Sequence, residues 1–137
     1  MPLSHLLKIL PSIDLAMAAV AWLIYFCTYP DFARWRSENF REHHQSYTSR
    51  VGWVVGPLLV LQLVGHFLAW RQGAPIIGLV LVVLTWICTA IWSIPAHRRL
   101  RLEGYNLEVI NHLTRTHIVR TLIWSALAIY SLKSAVG

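Results

Sequence analysis

Residues 51–94, VGWVVGPLLVLQLVGHFLAWRQGAPIIGLVLVVLTWICTAIWSI, decide the fold class, because this segment contains two apolar runs joined by one short polar turn. The runs 51–70 and 76–94 each approach the roughly 20 apolar residues that a helix needs to cross a hydrocarbon core about 30 Å thick. The turn between them, at 71–75, contains Gly and Pro and is too short for another element. The segment therefore predicts two antiparallel transmembrane helices.

Two further apolar runs, at about 12–29 and 118–136, complete a set of four. The whole chain has 137 residues, of which 56% are hydrophobic and 13% charged, well below the roughly 25% of charged residues in a soluble chain. We predict one all-α domain, residues 1–137, forming an antiparallel four-helix bundle in the membrane. Pro11 is expected at the start of the first span, and Pro30 and Pro95 at the ends of spans one and three.

The polar segment 31–50, DFARWRSENFREHHQSYTSR, joins the first two spans. It predicts an amphipathic helical loop in which Trp35 and Phe40 lie at the lipid headgroups and the arginines face water. Its second half is expected to continue as helix into span two. The first apolar run is long and has no small-residue cleavage site, so we interpret it as a retained helix and not as a signal peptide.

The positive charges predict an orientation and a location. Nine of the twelve Lys and Arg residues lie in the first and third loops or at the helix entrances beside them, and three lie on the other side. Such an excess marks the cytoplasmic side, which places both long loops in the cytoplasm and both termini outside, in a bacterial inner membrane. The net charge of +6 is then explained by topology and by anionic lipid, and we expect the lipid bilayer, not nucleic acid, as a partner.

Most of the seven histidines gather at the predicted cytoplasmic end. In span three, a polar stripe with a spacing of four residues ends in an imidazole, and in the fourth helix a histidine shares one face with Thr121 and Trp124, beside Arg120. Ionisable groups inside a membrane are candidates for function by default. The stripe is formed by Thr85, Thr89, Ser93 and His97, and the other histidines at this end are His43, His44, His112 and His117.

These residue types support two kinds of chemistry. For catalysis, His97 or His43 would act as the base, while Tyr47 and Arg120 hold or stabilise negative charge. For cofactor binding, neutral imidazole is a common ligand of haem, pigments and transition metals. The candidate cofactor ligands are His44, His117 and His66, and the candidate metal ligands are His43, His97 and His117. In the alternative, structural interpretation, each histidine only forms a hydrogen bond to lipid, backbone or a neighbouring helix.

A second polar cluster is predicted nearer the other side of the membrane. Asp14 lies one turn into span one, and Gln62 and His66 are four residues apart in span two. Because these spans are antiparallel, Asp14 and His66 should lie at similar depth and pair. A structural role competes with a functional one here, since an acid suits the first turn of a helix and polar side chains commonly join helices in membranes.

Short motifs are spread over nearly the whole chain: YPDF at 29–32, HHQSY at 43–47, VVGPLLVLQL at 54–63, Trp92 with Pro95 and His97, and RTLIW at 120–124. In these motifs the chain resembles a family of small four-helix bacterial membrane proteins of uncharacterised function. Its layout is also similar to that of anthrone-oxygenase-like membrane proteins, thought to oxidise polycyclic phenols without an obvious cofactor. That similarity implies a pocket for an aromatic or isoprenoid substrate from the membrane.

The anthrone-oxygenase-like similarity also implies which residues would act. His97, Tyr47, His117 and Arg120 would deprotonate and hold the substrate. Gln62 departs from that pattern, which usually has an acidic residue at this position. If the acid carries the activity of that family, this chain has lost it.

Three functions remain open at this point. The first is a membrane oxidoreductase acting on a lipophilic small molecule. The second is a membrane subunit that binds haem, pigment or metal. The third is an accessory subunit that packs in a larger membrane complex or a homo-oligomer. This function predicts that every histidine has its hydrogen-bond partners and that the bundle has no cavity.

Overall fold

A computed structural model describes residues 1–136 as four antiparallel helices. Helix α1 spans Leu3–Phe32, α2 spans Phe40–Arg71, α3 spans Ile77–Glu103 and α4 spans Leu107–Val136. Helix α1 packs against α2 and α4, and α3 packs against the same two helices, so α1 and α3 are diagonal partners. The predicted all-α four-helix bundle is confirmed.

Three of the helices, α1, α2 and α3, are long and apolar enough to cross a membrane. Helix α4 has a similar length, 30 residues, but it lies outside this set because polar groups such as Arg120 lower its apolar character. It is also the helix with the most buried residues, ten in all. Crossing of the membrane by residues 118–136 therefore stays a prediction.

The prolines do not lie where the sequence analysis placed them. Pro11 lies inside α1, which begins at Leu3, and neither Pro30 nor Pro95 ends its helix. Proline has no N–H and its ring clashes with the carbonyl four residues earlier, which normally interrupts a helix. Here each of these two prolines follows a wider π-helical turn, Ile24–Thr28 and Thr89–Ser93. The wider turn lets the chain pass the proline and stay helical.

The first connection is shorter than predicted. Residues 33–39 are not helical, and the second half of the polar segment forms the start of α2, as expected. Phe40 is fully buried and packs edge-to-face on Phe32, so its predicted position at the lipid headgroups is wrong. The reason is that the short connection folds the start of α2 back over the end of α1.

Two apolar clusters leave space between them. The arginine-end core consists of Tyr29, Phe32, Phe40, Ala96, Leu100, Val109, Ile110 and Leu113, and it lies beside the arginine-rich connections. The middle core consists of Met17, Ala18, Ala21, Val82, Trp124, Leu127 and Ala128. His44 of α2, His97 of α3 and His117 of α4 lie between these two cores, together with residues 20–24 of α1.

Candidate ligand-binding site

A cavity of about 360 Å³ lies between the arginine-end core and the middle core, and all four helices line it. The wall toward the middle core is apolar and includes Met17, Val55 and Trp124. The wall toward the arginine-end core carries imidazole, phenol, hydroxyl and guanidinium groups. One cavity therefore offers a polar end and an apolar end to a single ligand.

Arg120 is the central charge of the cavity and is only 6% exposed. Its Nη1 donates to Thr89 Oγ1 at 3.1 Å, and its Nη2 donates to His117 Nδ1 at 2.8 Å. The guanidinium carbon also lies 5.7 Å from the centre of the Trp124 ring. No Asp or Glu is among the described residues that line the cavity. A cation removed from water without a carboxylate partner favours the binding of an anion beside it.

The hydrogen bonds of His117 determine its tautomer. An arginine can only donate, so His117 Nδ1 must accept from Arg120. The proton is then on Nε2, which donates to the carbonyl oxygen of Ala21 at 2.9 Å. Both ring nitrogens are engaged, and Tyr29 packs edge-to-face on the ring at 4.9 Å. In this arrangement His117 positions Arg120 and has no lone pair left for a ligand.

His44 and His97 form a hydrogen-bonded pair that joins α2 to α3. His44 Nε2 lies 2.9 Å from His97 Nδ1, and Phe40 stacks on the His44 ring. His44 is 1% exposed, and its Nδ1 has no hydrogen-bond partner. An unpaired buried nitrogen in a residue that lines a cavity is a candidate partner for a bound group.

Unpaired polar atoms concentrate around this cavity. Six buried side-chain nitrogen or oxygen atoms in the described chain have no hydrogen-bond partner, and five of them belong to residues that line the cavity. Leaving such an atom buried and unpaired costs about 1–3 kcal/mol, so their concentration around one cavity is an observation in favour of a ligand there. They are His44 Nδ1, Tyr47 Oη, Ser93 Oγ, Arg120 Nε and Trp124 Nε1.

The structure brings most of the predicted site residues together. The cavity is lined by His97, Tyr47, Arg120, His44 and His117, and also by Thr89 and Ser93 of the predicted polar stripe. Tyr29, which the sequence analysis did not single out, joins them. The available signal was its position beside Pro30 at the end of an apolar run, at the same end of the bundle as the histidines.

Two predicted histidines lie elsewhere. His43 is exposed and packs beside Trp35, with ring centres 5.8 Å apart, and it does not line the cavity. His66 lies in the second polar cluster. Among residues 1–136, no group of three or more His, Cys, Asp or Glu side chains is arranged to hold a metal ion. The predicted metal ligands His43, His97 and His117 are therefore not grouped.

The second polar cluster confirms the predicted pairing of Asp14 with His66. The fully buried Asp14 carboxylate lies 3.0 Å from His66 Nε2 and accepts a 2.8 Å hydrogen bond from Gln62 Nε2. Ser131 of α4, which the sequence analysis missed, also donates to it. The cluster joins α1, α2 and α4, and a Cβ added at Gly78 would lie only 2.5 Å from His66 Nδ1. Its geometry is that of a structural cross-link.

Comparisons of this chain with protein-family models, with curated proteins and with solved structures gave no match. Both family resemblances therefore stay predictions.

Proposed function

We propose that this chain is a membrane protein that binds a lipophilic molecule with an acidic oxygen group, such as a carboxylate, phenolate or enolate. The observation that carries the proposal is Arg120, a buried cation in the wall of a cavity that has no acidic residue among its described lining. A ligand oxyanion would take the place of the missing carboxylate beside the guanidinium.

The rest of the cavity supports a lipophilic ligand. Its volume of about 360 Å³ falls within the roughly 300–1,000 Å³ of small-molecule sites, which are mostly apolar with a few polar groups that fix orientation. Met17, Val55 and Trp124 provide the apolar wall. The exposed apolar side chains on α1, α2 and α3 support contact with lipid, from which such a ligand would partition.

Proton transfer is a second candidate function of the same site, and it rests on His44. A phenol or enol bound at Arg120 would lose its proton to His44 Nδ1, which has no other partner, and the resulting oxyanion would be held by the guanidinium. The His97 ring would share the charge through the 2.9 Å contact. The predicted oxidoreductase activity stays a prediction, since it requires an electron acceptor in addition to this base.

The two other functions have less support. Haem, pigment or metal binding would depend mainly on His44 and His97, because His117 uses both nitrogens and His43 and His66 lie outside the cavity. An accessory subunit was expected to have hydrogen-bond partners for every histidine and to have no cavity. The unpaired His44 nitrogen and the cavity argue against that expectation.

The test compares Arg120→Met with Arg115→Met, an exposed arginine on the same helix. Each protein is purified in mild detergent, its absorption spectrum is recorded, and extracted small molecules are quantified by mass spectrometry. We expect wild type and Arg115→Met to hold an acidic lipophilic molecule at near-stoichiometric levels, and Arg120→Met to hold at least about tenfold less, as the loss of a charge-assisted pair implies.

Equal ligand content in all three proteins would overturn the proposal. A visible absorption band that persists in Arg120→Met would favour the cofactor alternative instead.

A further inference from the structure

The cavity is closed along the bundle axis on both sides. Toward the arginine-rich connections, Phe32, Phe40 and Leu100 are fully buried in the arginine-end core. Toward the opposite end, Met17, Val82 and Leu127 of the middle core are at most 1% exposed. A ligand therefore does not enter along the axis of the bundle.

The side of the bundle between α2 and α3 is open. The cavity-lining residues that are exposed are Gly52 on α2 and Ile94, Arg98 and Arg101 on α3. Helix α2 has buried residues up to His44 and again from Gln62, with none in residues 45–61 between them. Within that stretch Tyr47 packs on the arginine-end core and Val55 on the middle core. Between these contacts α2 covers the cavity loosely at Gly52, where an added Cβ would meet no atom within 4 Å.

The residues around this lateral opening are mostly apolar, with cationic side chains at one edge. Its surroundings are apolar, with Trp53 82% exposed and Ile91 and Ile94 about 60% exposed. Arg98 and Arg101 lie on its arginine-rich side, where the His44–His97 contact joins the two helices. An opening that is apolar outside and cationic at one edge suits a molecule with a chain and an acid group.

We propose that the site takes a single-chain acidic amphiphile, such as a long-chain carboxylic acid, from the bilayer through the opening between α2 and α3. The acid group binds Arg120 while the chain extends outward between Gly52 and Ile94 into lipid. The cavity volume of about 360 Å³ encloses a head and the first part of a chain, so a long chain has to leave through the opening. This inference rests on the proposed function and adds the ligand class and the entry route.

The experiment uses the full chain in lipid nanodiscs with palmitic acid that carries a diazirine in the middle of its chain. After illumination, adducts are quantified and located by peptide mass spectrometry. Gly52→Phe places a ring in the opening, whereas Gly56→Phe, one turn further along α2, is the matched control, because Gly56 does not line the cavity and has the same free space around an added Cβ. Ile94→Trp narrows the opening from the α3 side and decides the question if Gly52→Phe fails to fold.

We expect adducts near Gly52 and Ile94 in wild type and Gly56→Phe, at least tenfold fewer in Gly52→Phe and Ile94→Trp, and a similar loss in Arg120→Met. Adducts that need Arg120 but persist in both blocked variants would overturn the lateral route and indicate entry from water, leaving the proposed function intact. Adducts that do not depend on Arg120 would overturn the proposed function and this inference together.

Discussion

Adjacent residues in this chain can have opposite environments, and His43 and His44 are the clearest case. His43 lies four residues before Tyr47 and His44 three, so helical spacing alone allows either histidine to share the face of Tyr47. The structure buries His44 against Phe40 and leaves His43 exposed. Contacts of His44 with Phe40, Phe32 and His97 accompany this choice, and no motif in the segment indicates it.

This difference leads to a prediction about proton transfer. The probe is a lipophilic nitrophenol, whose anion alone absorbs visible light. At a pH where the free probe is mostly protonated, we expect wild type and His43→Ala to ionise it rapidly on binding, and His44→Ala to do so at least about tenfold more slowly, because Arg120 still favours the anion while the nearby proton acceptor is gone. The measurement is the stopped-flow rise of the visible anion band, with affinities that agree within about threefold, a change of less than 1 kcal/mol. Equal rates in the two histidine variants would contradict the assignment of His44 as the base.

At the scale of the helix, the hydropathy pattern predicted the apolar runs well. The expectation that Pro30 and Pro95 end their helices was wrong. The length of an apolar run predicts the length of a helix, but it does not indicate whether a given turn has α-helical or π-helical hydrogen bonds. The π-helical hydrogen bonds from the N–H of Tyr29 to Ile24 and from Ile94 to Thr89 keep both helices continuous. Both π turns border the cavity, in agreement with the frequent occurrence of π turns at functional sites.

The π turn of α3 predicts the effect of Pro95→Ala. The new N–H can donate to Ile91 and favour a regular α-helix, and losing the extra residue of the π turn rotates one side of α3 by about 100° relative to the other. His97 would then lose its contact with His44, and Leu100 would turn out of the arginine-end core. We therefore expect ligand content to fall at least about fivefold and the melting temperature to fall as well. The measurements are extracted ligand per protein and the melting temperature.

Pro57→Ala is the matched control for Pro95→Ala, because Pro57 lies inside α2, is exposed and does not line the cavity. It should keep the wild-type ligand content. A similar loss of ligand in both proline variants would indicate a general effect on the bundle and not one on the π turn.

For the whole molecule, the sequence was sufficient to predict the fold class and the end of the bundle where polar groups meet. Four apolar runs of nearly membrane-spanning length leave few alternatives to a helical bundle, and helical spacing places the polar stripe from Thr85 to His97 on one face. The cavity was not predictable in this way. It arises because α2 packs on the arginine-end core at Tyr47 and on the middle core at Val55 but leaves space between these contacts, and that depends on three-dimensional packing.

The topology can be tested with single cysteines at exposed positions in a chain whose Cys27 and Cys88 are replaced by serine. Ser37 lies between α1 and α2, Gln72 lies between α2 and α3, and Ala135 lies near the end of α4. In intact spheroplasts, a membrane-impermeant maleimide should label Gln72→Cys and Ala135→Cys, and should label Ser37→Cys only after lysis, because an excess of Lys and Arg predicts the cytoplasmic side. Labelling of Gln72→Cys in intact spheroplasts together with labelling of Ala135→Cys only after lysis would show that α4 does not cross the membrane.

The Asp14 cluster has a consequence for the motion of the bundle. It ties α1, α2 and α4 together and does not include α3. In the part of the chain that the structure describes, the two side-chain hydrogen bonds that join α3 to other helices are His97 to His44 and Thr89 to Arg120. Both belong to the cavity. A ligand that drew Arg120 away from Thr89, or His44 away from His97, would remove one of these polar attachments and leave α3 held by its apolar contacts with the two cores. Occupancy and displacement of α3 would then be thermodynamically linked, and the lifetime of the complex would depend on how often α3 moves away.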